Sequence, residues 1–214
     1  MRLTRMFGLA VLAALAMSAV AASAASAAEF FHEGAGTARV VATNEGAHKF
    51  TAGVIGTIEC KKATFTGTSY VTSPQKTVTV SPAYSECTFL GVANVVVNTN
   101  GCTYTFNQPT GAGPFTGTAT VNCTGSNKIT FEAKECKIEV GAQGPLSSIT
   151  YTNQAATEKL VKSVKVAANV SKIKYTASGL GCGVIGEKED GTYTGTAIAE
   201  GETELGERVG AFIK

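Results

Sequence analysis

The chain has 214 residues, 18 Lys and Arg against 16 Asp and Glu, six Cys, 24 Gly, two His and no Trp. So small a net charge excludes a nucleic-acid binder that works by phosphate neutralisation. One Asp, Asp190, excludes calcium loops of the Asp-rich type, and two His leave few ligands for zinc. Without Trp, the usual anchor of antibody-like sandwiches and the strongest aromatic platform for sugars are missing.

Residues 1–28 read as a secretory signal peptide. Arg2 and Arg5 form a positive start, an apolar run follows from Gly8 to Ala22 interrupted only by Ser18, and small residues then continue to Ala28. The small-residue rule places cleavage after Ala27 or Ala28. No Cys lies at that point, which argues against a lipid-modified N-terminus, and residues 210–214 are too short for an anchor. Loss of Arg2 and Arg5 leaves 16 basic and 16 acidic residues, so long-range steering toward charged partners is weak. Residues 29–214 are expected outside the cell, with no membrane anchor after cleavage.

All six cysteines, Cys60, Cys87, Cys102, Cys123, Cys136 and Cys182, lie beyond the signal. An even count in an exported chain predicts three disulfides. No Cys-x-x-Cys spacing occurs, so neither a redox pair nor a zinc knuckle is indicated. Cys102 and Cys123 flank a predicted hairpin through residues 111–113, and Cys60 with Cys87 would close the meander before it, leaving Cys136 with Cys182. Similar pairing in two repeats would instead join Cys102 to Cys136 and Cys123 to Cys182. Fifteen connectivities are possible, and the first of these two schemes is preferred.

From residue 36 onward, apolar residues alternate with Thr, Lys and Glu in short runs. Residues 76–80, 102–106, 128–131 and 148–151 have period two and are rich in β-branched or aromatic side chains. Turn signals fall at Ser73-Pro74, Ser81-Pro82, Asn100-Gly101, residues 110–114, residues 125–127 and Asp190-Gly191. Their spacing predicts an all-β fold of antiparallel, sandwich-like meanders. These would form one or two packed units, the second case dividing the chain into sub-units near 50–100 and 101–214. Residues 154–162 favour at most one helical turn. Val164, Val166, Ala168 and Val170 share one face, and Ile173 and Tyr175 resume it after a slip, which predicts a long strand bulged near Ser171.

Phe65-Thr66-Gly67-Thr68 recurs as Phe115-Thr116-Gly117-Thr118 and as Tyr193-Thr194-Gly195-Thr196. The first two are followed by Glu86-Cys87 and Glu135-Cys136, which suggests an internal repeat of near 50 residues. Gly inside a strand points to a bend or a close approach of a neighbour. Tyr84-Ser85-Glu86-Cys87, Asn100-Gly101-Cys102, Val121-Asn122-Cys123, Glu135-Cys136 and Ile149-Thr150-Tyr151 together resemble a group of uncharacterised secreted, cysteine-containing β-rich proteins of soil actinobacteria. The resemblance covers most of the exported chain. It implies export and a stapled β fold and brings no activity, ligand or catalytic residue.

Catalytic chemistry finds little support. A Ser/His/Asp triad would need Asp190 with His32 or His48, and no Gly-x-Ser-x-Gly elbow occurs. His48 reads as a turn or strand-edge residue. Fifteen Glu leave room for a carboxylate pair acting on polysaccharide, but Glu59, Glu86 and Glu135 beside cysteines read as the solvated face of a pleat. Residues 187–190 and 200–207 read as a charged loop and an edge strand guarded against pairing. Residues 179–183 are glycine-rich without the Lys of a phosphate loop.

Thr64/Thr66/Thr68, Thr116/Thr118/Thr120 and Thr192/Thr194/Thr196 each place three Thr on one strand face. Side by side they would form a flat Thr array, as on some ice-binding surfaces; the plain reading is a wet strand face. Asn122-Cys123-Thr124 and Asn169-Val170-Ser171 match the glycosylation sequon. The sequence thus predicts a non-catalytic exported module with a structural or binding role toward a cell-surface or extracellular ligand. No catalytic residue, cofactor, metal or nucleic-acid partner is assigned. The alternatives are a secreted hydrolase using a Glu pair and a secreted enzyme inhibitor presenting residues 110–114.

Overall fold

A computed structural model describes residues 27–157 and 161–214, so the expected signal peptide lies outside the described residues except for Ala27 and Ala28. The described residues form β-strands and one short 3-10 turn, Leu180–Cys182. In chain order the strands are β1 (Phe30–His32), β2 (Ala38–Asn44), β3 (His48–Ala52), β4 (Gly56–Gly67), β5 (Val78–Phe89), β6 (Ala93–Asn98), β7 (Thr103–Phe106) and β8 (Phe115–Asn122). They continue as β9 (Ile129–Ala133), β10 (Cys136–Val140), β11 (Gln143–Gln154), β12 (Ser163–Ser178), β13 (Gly186–Thr203), β14 (Arg208–Val209) and β15 (Ala211–Ile213).

Pairing is antiparallel throughout, and the main sheet closes on itself. β2 and β3 run in line between β13 and β4, since Val41 faces Thr66 and His48 faces Cys60. β6 and β7 likewise run in line beside β5, with Cys87 opposite Val95 and Val80 opposite Tyr104. The next two positions are β8 with β9 and β10 with β11, followed by the long β12 and β13. β13 then returns to the start, Thr203 opposite Ala38 and Gly191 opposite Ala52. Eight strand positions therefore form an up-and-down barrel, in which closure removes the sheet edges.

The all-β, disulfide-stapled character matches the sequence reading, but the sandwich does not. Asn100-Gly101 and residues 125–127 interrupt a strand position without reversing the chain, so their turn signals do not mark hairpins. Ser81-Pro82 lies inside β5, with Pro82 opposite Phe65, and Asp190-Gly191 lies inside β13. Fewer reversals than the turn signals suggested leave long strands, and long twisted strands curl until first meets last. Strands from residues 50–100 and 101–214 share this one closed sheet.

Local irregularities keep apolar side chains inward as the strands curve. Inward residues on β12 are Val164, Val166, Ala168 and Val170, then Ile173 and Tyr175. The register shifts between Val170 and Ile173, at the bulge expected near Ser171. Lys172 takes a positive φ of 59° there. On β4 and β5 the inward phase steps past Lys61-Lys62 and Ser85-Glu86, where Lys62 and Glu86 pair on the outside. The helical turn expected over 154–162 falls partly on 158–160, outside the described residues; Gln154 itself ends β11.

Three disulfides pin the barrel: Cys60–Cys87 across β4 and β5, Cys102–Cys123 just beyond the β7–β8 pair, and Cys136–Cys182 between β10 and the 3-10 turn. β1 and β15 pair with each other and cross one end of the barrel. Asn153 holds this strap to β11, its Nδ2 donating to Ile213 O at 2.7 Å and its Oδ1 accepting from Ile213 N at 2.8 Å. Phe31 and Phe212 stack within the strap at 5.3 Å.

The aromatic-Thr-Gly-Thr units do not hold one place in the fold. Phe65 lies near the end of β4, Phe115 opens β8 and Tyr193 lies within β13. Strands β4, β8 and β13 are not neighbours, so the three Thr triplets make no common array.

Candidate ligand cavity

A barrel of eight strands is either filled by its side chains or wide enough for one small ligand. Which occurs depends on the size of the inward residues. At the end near Ala52, large side chains fill the interior: Phe50 stacks on Phe131 at 5.0 Å, and Tyr175 meets Phe50 edge-on at 6.0 Å. Further along, many inward positions are small, including Ala42, Ala119, Ala168, Gly195, Ala197 and Ala199. They leave a cavity of about 160 Å³, roofed by Phe30, Phe31 and Phe212 of the terminal strap. Val40, Val80, Val121, Val166 and Leu146 complete much of its wall, and no Lys, Arg, Asp or Glu lines it.

Polar groups in the wall satisfy one another. His48 Nε2 donates to Thr196 O at 3.0 Å, which leaves Nδ1 as the acceptor of a neutral imidazole. Tyr193 Oη donates to Nδ1 at 2.5 Å, so its own oxygen accepts from Tyr84 Oη at 3.1 Å. Tyr84 in turn accepts from Tyr104 Oη at 3.1 Å. One carbonyl thus fixes the direction of a four-residue relay. Burial pushes the Tyr84 and Tyr193 hydroxyls well above the ordinary phenol range and the Tyr104 hydroxyl up to about 12. The relay is therefore uncharged at neutral pH.

Two glycines make room for rings against the wall. A Cβ at Gly195 would lie 2.4 Å from His48 Nδ1, and one at Gly117 would lie 2.9 Å from the Tyr151 ring. The close approach expected of glycine within a strand is met here by aromatic side chains. Tyr151 is the exception to the satisfied wall. Only 1% exposed, it packs edge-on to Phe30 at 5.6 Å, and its hydroxyl has no hydrogen-bond partner among the described residues. A buried orphan hydroxyl costs about 1–3 kcal/mol in lost hydration. Tyr151→Phe is therefore expected to stabilise the fold by about 1 kcal/mol, read as a higher urea midpoint at unchanged slope.

Burial also lowers the pKa of His48 from its ordinary value of about 6.5, the Thr196 hydrogen bond opposing this only in part. Between the lowered folded value and 6.5 the unfolded chain binds the proton more readily than the folded one. Stability is thus full above about pH 6.5 and falls as the pH drops below it, by at most about 1.4 kcal/mol per pH unit. Urea titrations at pH 7.5 and 5.5 are expected to show this loss in the parent protein and a smaller one in His48→Gln.

No family model, curated protein or solved structure matches this chain.

The residues singled out in the sequence do not assemble into a catalytic site. His48 opens β3 and points inward, 4% exposed, so it is neither a turn residue nor a solvent-facing edge residue. His32 contacts the carbonyls of Glu33 and Val71. Asp190 accepts from Tyr175 Oη at 2.8 Å, near Gly53 at the filled end. Glu59 pairs with Lys49 at 3.0 Å and Glu86 with Lys62, while Glu135 is exposed at the β9–β10 turn. Residues 179–183 wrap the Cys136–Cys182 bridge, as a tight turn around a disulfide would. Residues 110–114 form a turn closed by Thr110 and Thr116, which exchange backbone hydrogen bonds at 2.8 and 2.9 Å. Among the described residues no group of three or more His, Cys, Asp or Glu is placed to hold a metal. No helix of the described residues is long and apolar enough to cross a membrane.

Sequence reasoning missed Tyr84, Tyr104, Tyr151 and Tyr193 as members of one interior. A weak signal existed, since each falls on the inward phase of its strand. The small residues Ala119, Ala197 and Ala199 carried a clearer one, because three alanines on inward positions cannot fill an eight-strand barrel.

Proposed function

We propose that this protein is an exported, non-catalytic binding module that holds one small, uncharged, apolar molecule inside its barrel. The observation that carries the reading is the cavity of about 160 Å³ whose wall has no charged side chain and whose relay tyrosines and histidine are bonded to one another. That size is close to the roughly 150 Å³ of an apolar cavity that stays dry and admits benzene. A single ring or a short branched hydrocarbon matches it. A carboxylate or ammonium ligand would enter without a counter-charge, at a penalty of several kcal/mol.

Export is supported by the three disulfides, which persist in oxidising compartments. Ala28 is 2% exposed, and its N–H donates to Pro109 O at 3.0 Å, which favours cleavage after Ala27 over cleavage after Ala28. The Glu-pair hydrolase is less favoured, because no carboxylate lines the cavity.

Calorimetric titration of the oxidised protein with toluene and with benzoate tests the reading. Saturable one-to-one binding of toluene, with benzoate at least tenfold weaker, is expected. Benzoate binding as tightly as toluene, or no toluene binding at all, would overturn it.

A further inference from the structure

A cavity inside a closed sheet needs a way in. Its wall is a continuous antiparallel ladder, and Phe50, Phe131 and Tyr175 fill the end near Ala52. The roof of Phe30, Phe31 and Phe212 is the remaining boundary, and it belongs to a sheet of its own, β1 with β15. None of the three disulfides reaches this strap. Both of its connections to the barrel leave from one end of its ladder. His32 faces Ala211 there, and Glu33 N donates to Gly210 O at 2.7 Å. Gly210 leads directly into β14, which β13 holds, and residues 33–37 lead into β2. Gly34 and Gly36 in that link have φ of 87° and 112°, and residues 34–37 are exposed. The strap can therefore pivot about Glu33 and Gly210 as one piece, keeping its own ladder and the Phe31–Phe212 stack.

The far rung of the ladder, Phe30 opposite Ile213, carries two opposing features. Asn153 bonds both backbone groups of Ile213, and Phe30 exchanges backbone hydrogen bonds of 2.8 Å with Gln75 in both directions. Beyond that rung Ala28 N donates to Pro109 O. These bonds hold the strap down. Tyr151, two residues before Asn153 on β11, lies under Phe30 with its orphan hydroxyl. Closing the strap strips that hydroxyl of water and returns no partner, whereas lifting Phe30 lets water back. One strand thus supplies both the latch and the group that works against it.

We infer that the β1–β15 strap is the gate of the cavity, with Asn153 as its latch and the Tyr151 hydroxyl as the group that keeps it releasable. A gate for ligand presupposes that the cavity is a ligand site, as proposed above. Asn153 bonds the strap and does not line the cavity. It therefore sets how often the gate opens, so entry and exit change together while affinity does not.

Two measurements on the oxidised protein test this. Toluene exchange, read from NMR line shapes, is expected to be at least fivefold faster in Asn153→Ala with Kd changed less than twofold, and at least threefold slower in Tyr151→Phe. Tyr175→Leu, which thins the filled end, is expected to leave the rate within twofold of the parent. An unchanged rate in Asn153→Ala would overturn the gate, and faster exchange in Tyr175→Leu would place the entry at the filled end. An unchanged rate in Tyr151→Phe would remove the role given to its hydroxyl. Native-state hydrogen exchange of the toluene-free protein needs no ligand. The amides of Phe30 and Gln75, which bond each other's carbonyls across the strap border, are expected to exchange faster than those of the β12–β13 ladder. They should exchange faster again in Asn153→Ala and more slowly in Tyr151→Phe. Exchange at Phe30 and Gln75 as slow as in that ladder would mean that the strap opens only with global unfolding, which overturns the inference whether or not toluene binds. The expected amide pattern in a protein that ignores toluene would support the hinged strap and refute the toluene-sized ligand alone.

Discussion

Ala197→Leu is expected to weaken toluene binding at least tenfold, about 1.4 kcal/mol, while making the empty protein more stable. Ala197 sits midway along β13, opposite Val166 of β12, and its side chain lines the cavity between Gly195 and Ala199. Three added carbons would project into a space already 160 Å³ in volume, so they displace ligand before they press on protein. Filling a cavity usually stabilises by about 0.5–2 kcal/mol, whereas forcing carbon into a packed core costs about 1–3 kcal/mol. The sign of the stability change thus reports whether the hollow exists. Urea unfolding and toluene calorimetry on the same preparation give both readings. Destabilisation with unaltered toluene binding would mean that the barrel is filled at this level.

Replacing both Cys136 and Cys182 by Ser is expected to cost the most stability of the three possible bridge removals, about 4 kcal/mol on the chain-entropy account. The ordering follows from loop length. Cys136–Cys182 closes 46 residues, against 27 for Cys60–Cys87 and 21 for Cys102–Cys123. It also ties β10 to the 3-10 turn after β12, beside the β10–β12 ladder that ends at Lys137 and Ser178 and the hydrogen bond from Gly181 N to Glu135 O at 3.2 Å. Thermal unfolding of the three double-serine variants checks the order. A larger loss on removing Cys102–Cys123 would show that native contacts, rather than the freedom of the unfolded chain, dominate.

Much of the fold is legible in the sequence at the level of strands. Period-two alternation marks residues 148–151 inside β11 and the one-residue slip near Ser171 inside β12, because burial of one sheet face imposes both patterns locally. The cysteine pairing follows equally local reasoning, with Cys102 and Cys123 flanking a hairpin that forms. Closure is another matter. Whether β13 meets β2 depends on pairing between residues over 150 positions apart, and neither alternation nor turn signals carry that information. The turn signals misled for a related reason: Asn100-Gly101 and residues 125–127 bend the backbone without reversing it.

Legibility of the interior was lower still. Tyr84, Tyr104 and Tyr193 converge from β5, β7 and β13 onto His48 of β3, so no short window of sequence contains the relay. His48 looks like an ordinary polar residue in its own neighbourhood. What makes it an interior group is Gly195, far along the chain, which leaves space for its ring.

The most direct test of the cavity is a methyl NMR spectrum of the oxidised protein with and without dissolved toluene. Shifts concentrated on Ala119, Val121, Val166, Ala168 and Ala197 are the expected result. An unchanged spectrum, or shifts confined to exposed side chains such as Val54, Val92 and Leu180, would contradict a ligand held inside the barrel.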